Sequence, residues 1–173
     1  MRPHRRAGVP SVRIPTWQDF GASPTALRRA LNLWPPFLFS GVRVEHIGEG
    51  FSSVRVRLRL TPLTRNYVGT QYGGSLYSMT DPFWMLILLR RLGDDYIVWD
   101  RAAEIRFLAP GRTDVVAEFE VTEDVLDELR AEAAEHGRTV RWFETEVVGT
   151  DGTVVARVRK EVYVRRKDSL PRG

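Results

Sequence analysis

The sequence predicts an α+β fold, with one curved antiparallel sheet of about six strands wrapped around a long central helix, an N-terminal helix and one inserted surface helix. Three observations carry that prediction. Residues 53–61 alternate strictly, with Val54, Val56, Leu58 and Leu60 on one side and Arg55, Arg57 and Arg59 on the other. Such a sheet has one face on a core and one facing water or a polar partner, which is an antiparallel signature. Residues 73–93 place apolar side chains around nearly a whole helical circumference, so that helix is buried on most sides. Four more strand-like stretches follow it, and wrapping the sheet around the helix is the economical way to bury both.

The elements read in order as follows. Residues 1–22 mix Gly, Pro and charge and are expected to be poorly ordered, ahead of a single domain over 23–165 and a basic tail over 166–173. Ser23-Pro24 reads as an N-cap with proline at the first helical position. Leu27, Ala30, Leu31 and Trp34 then follow at helical spacing, and Pro35-Pro36 stops the helix. Strands are expected over Val42–Gly50 and Ser53–Thr61, a loop over Pro62–Tyr72, and the buried helix over Gly73–Gly93. Pro82 kinks that helix, because its ring removes an N–H and collides with the carbonyl of Ser78. Tyr96–Leu108, with the alternating set Ala103, Ile105 and Phe107, and Thr113–Val121 are the next strands. Thr122 caps a surface helix running to Gly137, with an apolar stripe of Val125, Leu126, Leu129 and Ala133. Thr139–Val148 and Thr153–Val164 bracket the hairpin signal Asp151-Gly152. Lys160 interrupts the Val154, Val158, Val162, Val164 face, which reads as a bulge or a wet subunit contact ahead of a functional lysine.

Composition narrows the function classes. The chain has 173 residues, 43% of them hydrophobic and 28% charged, which suits one sizeable core. Five Trp and eight Phe need burial, so disorder throughout is excluded. With no Cys there is no disulfide, zinc–thiolate site or cysteine nucleophile, and the three His are too scattered for a metal site. The longest apolar run, Phe83–Leu89, is far short of the roughly 20 residues of a membrane span, and no signal peptide is visible. A cytoplasmic protein is expected, with no membrane partner. The net charge of +4 sits at the ends: Arg2, Arg5, Arg6 and Arg13 at one, Arg165, Arg166, Lys167 and Arg172 against Asp168 at the other. The body between them is mildly acidic, so no nucleic-acid partner is expected.

The chemistry concentrates at the start of the central helix. Gly73 and Gly74 put a backbone without Cβ where free N–H groups and the positive end of the helix dipole point outward. A ligand carbonyl could approach there and be stabilised as it gains negative charge; the same pair would also serve as a tight turn that lets the helix pack. Asp81 lies in the apolar stretch between Thr80 and Pro82, where a carboxylate is costly unless paired, hydrogen-bonded or beside a wet cleft. Burial would suit it to general-base work; otherwise it ties down a broken helix turn. Gly74 and Asp81 share a helix face about 10.5 Å apart, too far to act on one carbonyl carbon. A single site made from both therefore calls for a second subunit.

The run of Asn66, Tyr72, Gly73, Gly74 and Asp81 resembles the Asn, His-Gly-Gly, Asp pattern of hotdog-fold acyl-CoA thioesterases of the phenylacetyl-CoA thioesterase type. Residues 103–111 are similar to that family's second landmark. The words around both, Arg65-Asn66-Tyr67-Val68-Gly69-Thr70 and Tyr96-Ile97-Val98-Trp99-Asp100, resemble most an uncharacterised hotdog branch described as tetrameric acyl-CoA thioesterases. The resemblance covers about residues 35–165. It implies a hotdog fold, an acyl-CoA thioester substrate, no cofactor beyond the coenzyme A of that substrate, and a homodimer or homotetramer. Gly74, with Gly73, would supply the oxyanion N–H. Asp81 from the partner subunit would activate water or attack the thioester carbon, and Asn66 would orient the water or the carbonyl. Gln71, Tyr72 and Gly73 would line the substrate site, with Arg106 and Arg112 as candidates for coenzyme A phosphates. Tyr72 stands where the family has His; a phenol can donate a hydrogen bond but does not replace imidazole as a base. That departure favours a second possibility, a non-catalytic acyl-CoA or fatty-acyl binding or scaffold protein. A hydratase is a weaker third, because that chemistry usually uses a His and none lies near the central helix.

Overall fold

The computed structural model describes residues 23–169. The expectation for 1–22 falls outside them, as do residues 170–173. Ser23 accepts the Ala26 N–H at 3.2 Å and caps α1 (Pro24–Leu33), which buries Leu27 and Leu31. Pro35-Pro36 ends α1 as expected, yet it also begins a second short helix, α2 (Pro35–Ser40). A proline that cannot continue one helix suits the first turn of the next.

The strands β1 (Val42–Ile47) and β2 (Ser53–Leu58) pair antiparallel, with a bulge at Glu45. The bulge shifts the parity of β1, so that Val42, Val44 and Ile47 all face Leu58, Val56 and Val54. The central helix is two pieces, α3 (Gly73–Ser78) and α4 (Phe83–Leu92). The kink expected at Pro82 is a full break: the Thr80 and Asp81 N–H groups reach back only three residues, to Tyr77 and Ser78. The remaining elements are β3 (Tyr96–Phe107), β4 (Val115–Glu120), α5 (Glu123–His136), β5 (Arg138–Gly149) and β6 (Val154–Arg166). Thr122 caps α5 through Val125 N–H, and Gly137 closes it with φ of 74°. The basic tail expected from 166 thus starts inside β6, with a short turn over Lys167–Ser169.

The six strands form one sheet in the order β1-β2-β4-β5-β6-β3, antiparallel throughout. Its inner face carries Val54, Val56 and Leu58 of β2 opposite Phe119, Ala117 and Val115 of β4, against α4. The Phe119 ring lies 5.0 Å from Phe83 and 4.9 Å from Trp84. Each such ring contributes on the order of 2–3 kcal/mol by leaving water. The outer face is a lattice of ion pairs: Arg55 and Arg57 with Glu45, Arg55 with Glu118, Arg157 with Glu144 and Glu146. Trp99 and Trp142 also lie there, partly exposed, against the expectation that the tryptophans are buried. Trp99 stacks on Tyr163 at 4.7 Å, and Arg159 covers Trp142. Among the described residues no helix is long and apolar enough to cross a membrane.

The two sheet edges differ. At β1, Asn32 of α1 both donates to the Val44 carbonyl and accepts its N–H, so a side chain occupies the edge. The outer edge of β3 pairs with no described strand. Ala103 and Phe107, expected within an alternating core set, do share the inward register with Ile105 but are exposed, because the sheet ends with this strand.

Candidate active site

A cleft of about 540 Å³ opens where the loop before α3 meets the end of β3. The loop is shaped by Asn66. Its amide nitrogen donates to Thr70 Oγ1 and the Gln71 carbonyl, and its oxygen accepts the N–H groups of Val68 and Thr70. Both donors and both acceptor positions of that amide are thereby used inside the loop. Gln71 is buried beside it and donates to the carbonyls of Leu58 and Thr113, while its Oε1 has no partner among the described residues.

Gly73 and Gly74 open α3 with no side-chain cap, and the first helical donor is Leu76, bonded to the Tyr72 carbonyl. The first turn's N–H groups are therefore not used by the helix itself. The two glycines let exposed rings pack close to the helix start. A Cβ on Gly73 would stand 3.0 Å from the Phe107 ring, and one on Gly74 would stand 2.5 Å from the Tyr72 ring. Tyr72, 57% exposed, thus lies across the helix start. Arg112, Gly111 and Pro110 close the cleft's far wall.

Asp81 lies elsewhere, in the turn that breaks the central helix. Lys160 of β6 reaches it: Nζ donates to Asp81 Oδ1 at 2.8 Å, to the Asp81 carbonyl, and to Asp100 Oδ2 at 2.9 Å. The lysine side chain is 0% exposed, while that of Asp81 is 49% exposed and so open to a ligand. Burial pushes the Asp100 carboxyl up, Lys160 pulls it partway back, and Asp81 adds to the rise. Burial works against the charge of Lys160, but its hydrogen bonds to Asp100 and Asp81 outweigh this and hold its pKa above the usual value. Burial likewise raises the Tyr77 phenol, whose ring faces this cluster; the Lys160 charge pulls it partway back and the Asp81 charge adds to the rise.

The structure therefore gathers Asn66, Gln71, Gly73 and Arg112 around one cleft, with Tyr72 and Gly74 at its rim, and leaves Asp81 at the other end of α3. Arg106 points to the opposite side of β3, into a small outer-face hollow with Glu104, Glu144, Arg157 and Arg159. No carboxylate is among the described residues that line the cleft. Lys160 requires correction: β6 carries no bulge at that position, the bulge being on β3 at Arg101, and the lysine is a fully buried partner of two carboxylates. Asp100 and Tyr77 were not expected at all. The signal available in the sequence was a lysine on an otherwise apolar strand face together with an aspartate in an apolar helix, two charges of opposite sign in apolar surroundings. Among the described residues no group of His, Asp and Glu could hold a metal ion.

The family model for the domain of unknown function DUF4442 matches residues 24–164, nearly all of the described chain. The chain belongs to the DUF4442 family. No curated protein matches it. Among solved structures, this DUF4442 chain is similar to a Pseudomonas aeruginosa protein of unknown function described as a probable thioesterase, at 24% identity and a TM-score of 0.72 over 83% of this chain and 97% of that one. A thioesterase from Haemophilus influenzae matches at 13% identity and 0.61, over 83% and 91%. The PaaI protein of the E. coli phenylacetic acid degradation operon matches at 18% and 0.52, over 80% and 88%. At these identities the likeness is one of fold, and the DUF4442 chain has the hotdog fold.

Proposed function

We propose that the protein is an acyl-CoA thioester hydrolase acting as a dimer or higher oligomer, with its cleft holding the thioester and the partner subunit's Asp81 supplying the acid group. The observation that carries this reading is the division of labour within one chain. The cleft has free amides on its wall and no carboxylate, whereas the half-exposed Asp81 sits where its own cleft cannot use it. A second copy added at the open edge of β3 brings the two together.

In the base route, a carboxylate oxygen of Asp81 takes a proton from water, and the water oxygen bonds to the thioester carbon. The carbonyl oxygen gains negative charge and is held by the Gly73 and Gly74 N–H groups. Collapse breaks the C–S bond, and the proton passes to the sulfur, giving carboxylic acid and free thiol. In the nucleophilic route, Asp81 bonds to the carbon first and water opens the resulting anhydride; the products are the same. Asn66 acts through the loop it shapes, Gln71 Oε1 offers a buried acceptor to an ordered water, and Arg112 at the cleft wall suits a coenzyme A phosphate. No cofactor is called for beyond the substrate's own coenzyme A.

A second reading rests on one observation: the Tyr72 ring lies across Gly74, where a thioester oxygen would approach. In that reading the cleft binds acyl-CoA without turnover. A thiol-release assay over short, long and aromatic acyl-CoAs separates the two. Hydrolysis predicts thiol release from at least one, a loss of about 10²-fold or more in kcat for Asp81→Ala, and activity kept or raised in Tyr72→His. No release from any substrate, or an Asp81→Ala variant equal to the parent, overturns it; tight binding without release, unchanged by Tyr72→His, establishes the second reading.

A further inference from the structure

Lys160 does more at the helix break than neutralise a charge. Its ammonium has three donors, and all three are directed: one to Asp100 Oδ2 and two to a single residue, the Asp81 carboxylate and the Asp81 carbonyl. The carbonyl bond fixes the backbone of the turn, and the Oδ1 bond fixes the side chain. Together they leave the half-exposed carboxylate with one orientation. An ion pair serving only the core would have no need of the carbonyl.

Among the described residues, Lys160 is the cation paired with Asp81. Tyr77 of α3 places its ring 5.6 Å from Nζ; β3 presents Asp100 and Ala103, and β5 presents Phe143 opposite the lysine. Two carboxylates thus share one positive charge. Asp100 is the poorer holder of its negative charge, since its Oδ1 is buried without a partner and burial already pushes it toward the protonated form.

Resting on the hydrolysis proposed above, we infer that Lys160 is a positioning residue for Asp81: it presents the reactive carboxylate in one orientation at the broken helix, and Asp100 competes for the same ammonium. When Asp100 is protonated or neutral, Lys160 serves Asp81 alone.

The test combines rate profiles with a readout that needs no activity. In kcat against pH, Lys160→Met is expected to lose at least tenfold in kcat with KM within twofold, and to move the acid limb to higher pH. Lys160→Arg is expected to restore the limb, and Asp100→Asn to move it to lower pH. A merely structural lysine would lower Tm in Lys160→Met and leave the acid limb of the residual activity in place, which overturns the proposal. Because Lys160→Met leaves Asp100, with its buried Oδ1, and Asp81 without their cation and can fail to fold, the second arm keeps the lysine. The Asp100 side-chain carbon is followed by 13C NMR titration in the parent and in Asp81→Asn. Removing the competing charge is expected to move the Asp100 midpoint to lower pH, and an unmoved midpoint overturns the shared-lysine arrangement even if the parent hydrolyses nothing. If the midpoint moves while no acyl-CoA is cleaved, the lysine clamp stands and the hydrolase reading is the one that fails.

Discussion

Lys160 is a costly residue to lose. Removing one partner of a buried charge cluster leaves the others without compensation, and about 3–5 kcal/mol is the expected cost for Lys160→Met by urea unfolding at neutral pH. The pH dependence has a definite sign. The folded pKa of Lys160 is raised above the ordinary lysine value of 10.5, so its stabilisation is complete below that pH and is lost as pH rises through the folded value. The parent should therefore lose stability above about pH 10.5 more steeply than Lys160→Met does. Equal alkaline slopes would remove Lys160 from the account of stability. Gly74 makes the opposite case. The atom a Cβ would meet belongs to the outer end of the half-exposed Tyr72 side chain, which can swing away, so Gly74→Ala should cost no more than about 1 kcal/mol in stability.

At the scale of elements, the closed edge depends on one amide. Asn32→Ala would leave both the N–H and the carbonyl of Val44 without a partner, at a cost of about 1–3 kcal/mol measured in the same unfolding assay. Beside it, the Glu45 bulge stitches β1 to β2. The Arg57 hydrogen bond, partly opposed by burial and reinforced by Arg55, holds the Glu45 carboxyl below its usual range. Its stabilisation is present above pH 4.5 and is lost as pH falls through the lower folded value. Glu45→Gln should flatten that acid loss, by about 1 kcal/mol or less given its partial exposure. These elements also show what the sequence could say. The alternation of β2 and β4 was legible because each strand has one face on the core. The caps Ser23 and Thr122 were legible because their partners lie three residues away. The start of α2 was hidden because Pro35-Pro36 carries a stop and a start in the same two residues. Pro82 announced a kink, but not that Lys160 would donate to the Asp81 carbonyl in the opened turn. That lysine lies 79 residues from Asp81 and 60 from Asp100, and no local pattern signals so distant a partner. The loop glycines and Asp81 were legible as chemistry, whereas the packing of Tyr72 over Gly74 is a matter of side-chain direction that spacing does not encode.

At the scale of the molecule, the sheet is finished on one side only. α1 covers β1, while β3 runs for 12 residues with no described strand on its outer edge and with Ala102, Ala103 and Glu104 exposed. A long open edge is a template for another strand, so sedimentation at micromolar concentration should give at least a dimer. A proline placed within Ala102–Glu104 should weaken that dimer, while a monomeric parent would leave the cleft without its acid group. Subunit complementation tests that division most directly. Asp81→Ala removes the acid group, and Gly74→Val puts a branched side chain at the helix start, where the thioester oxygen would be held. Each variant alone should be nearly inactive toward a substrate the parent cleaves. Mixed and reassembled, a heterodimer pairs the intact cleft of one chain with the intact Asp81 of the other, so activity should return to about a quarter of the parent's, as expected when half the dimers hold one composite site. If the mixture stays as inactive as its components although heterodimers have formed, cleft and carboxylate do not meet across the interface.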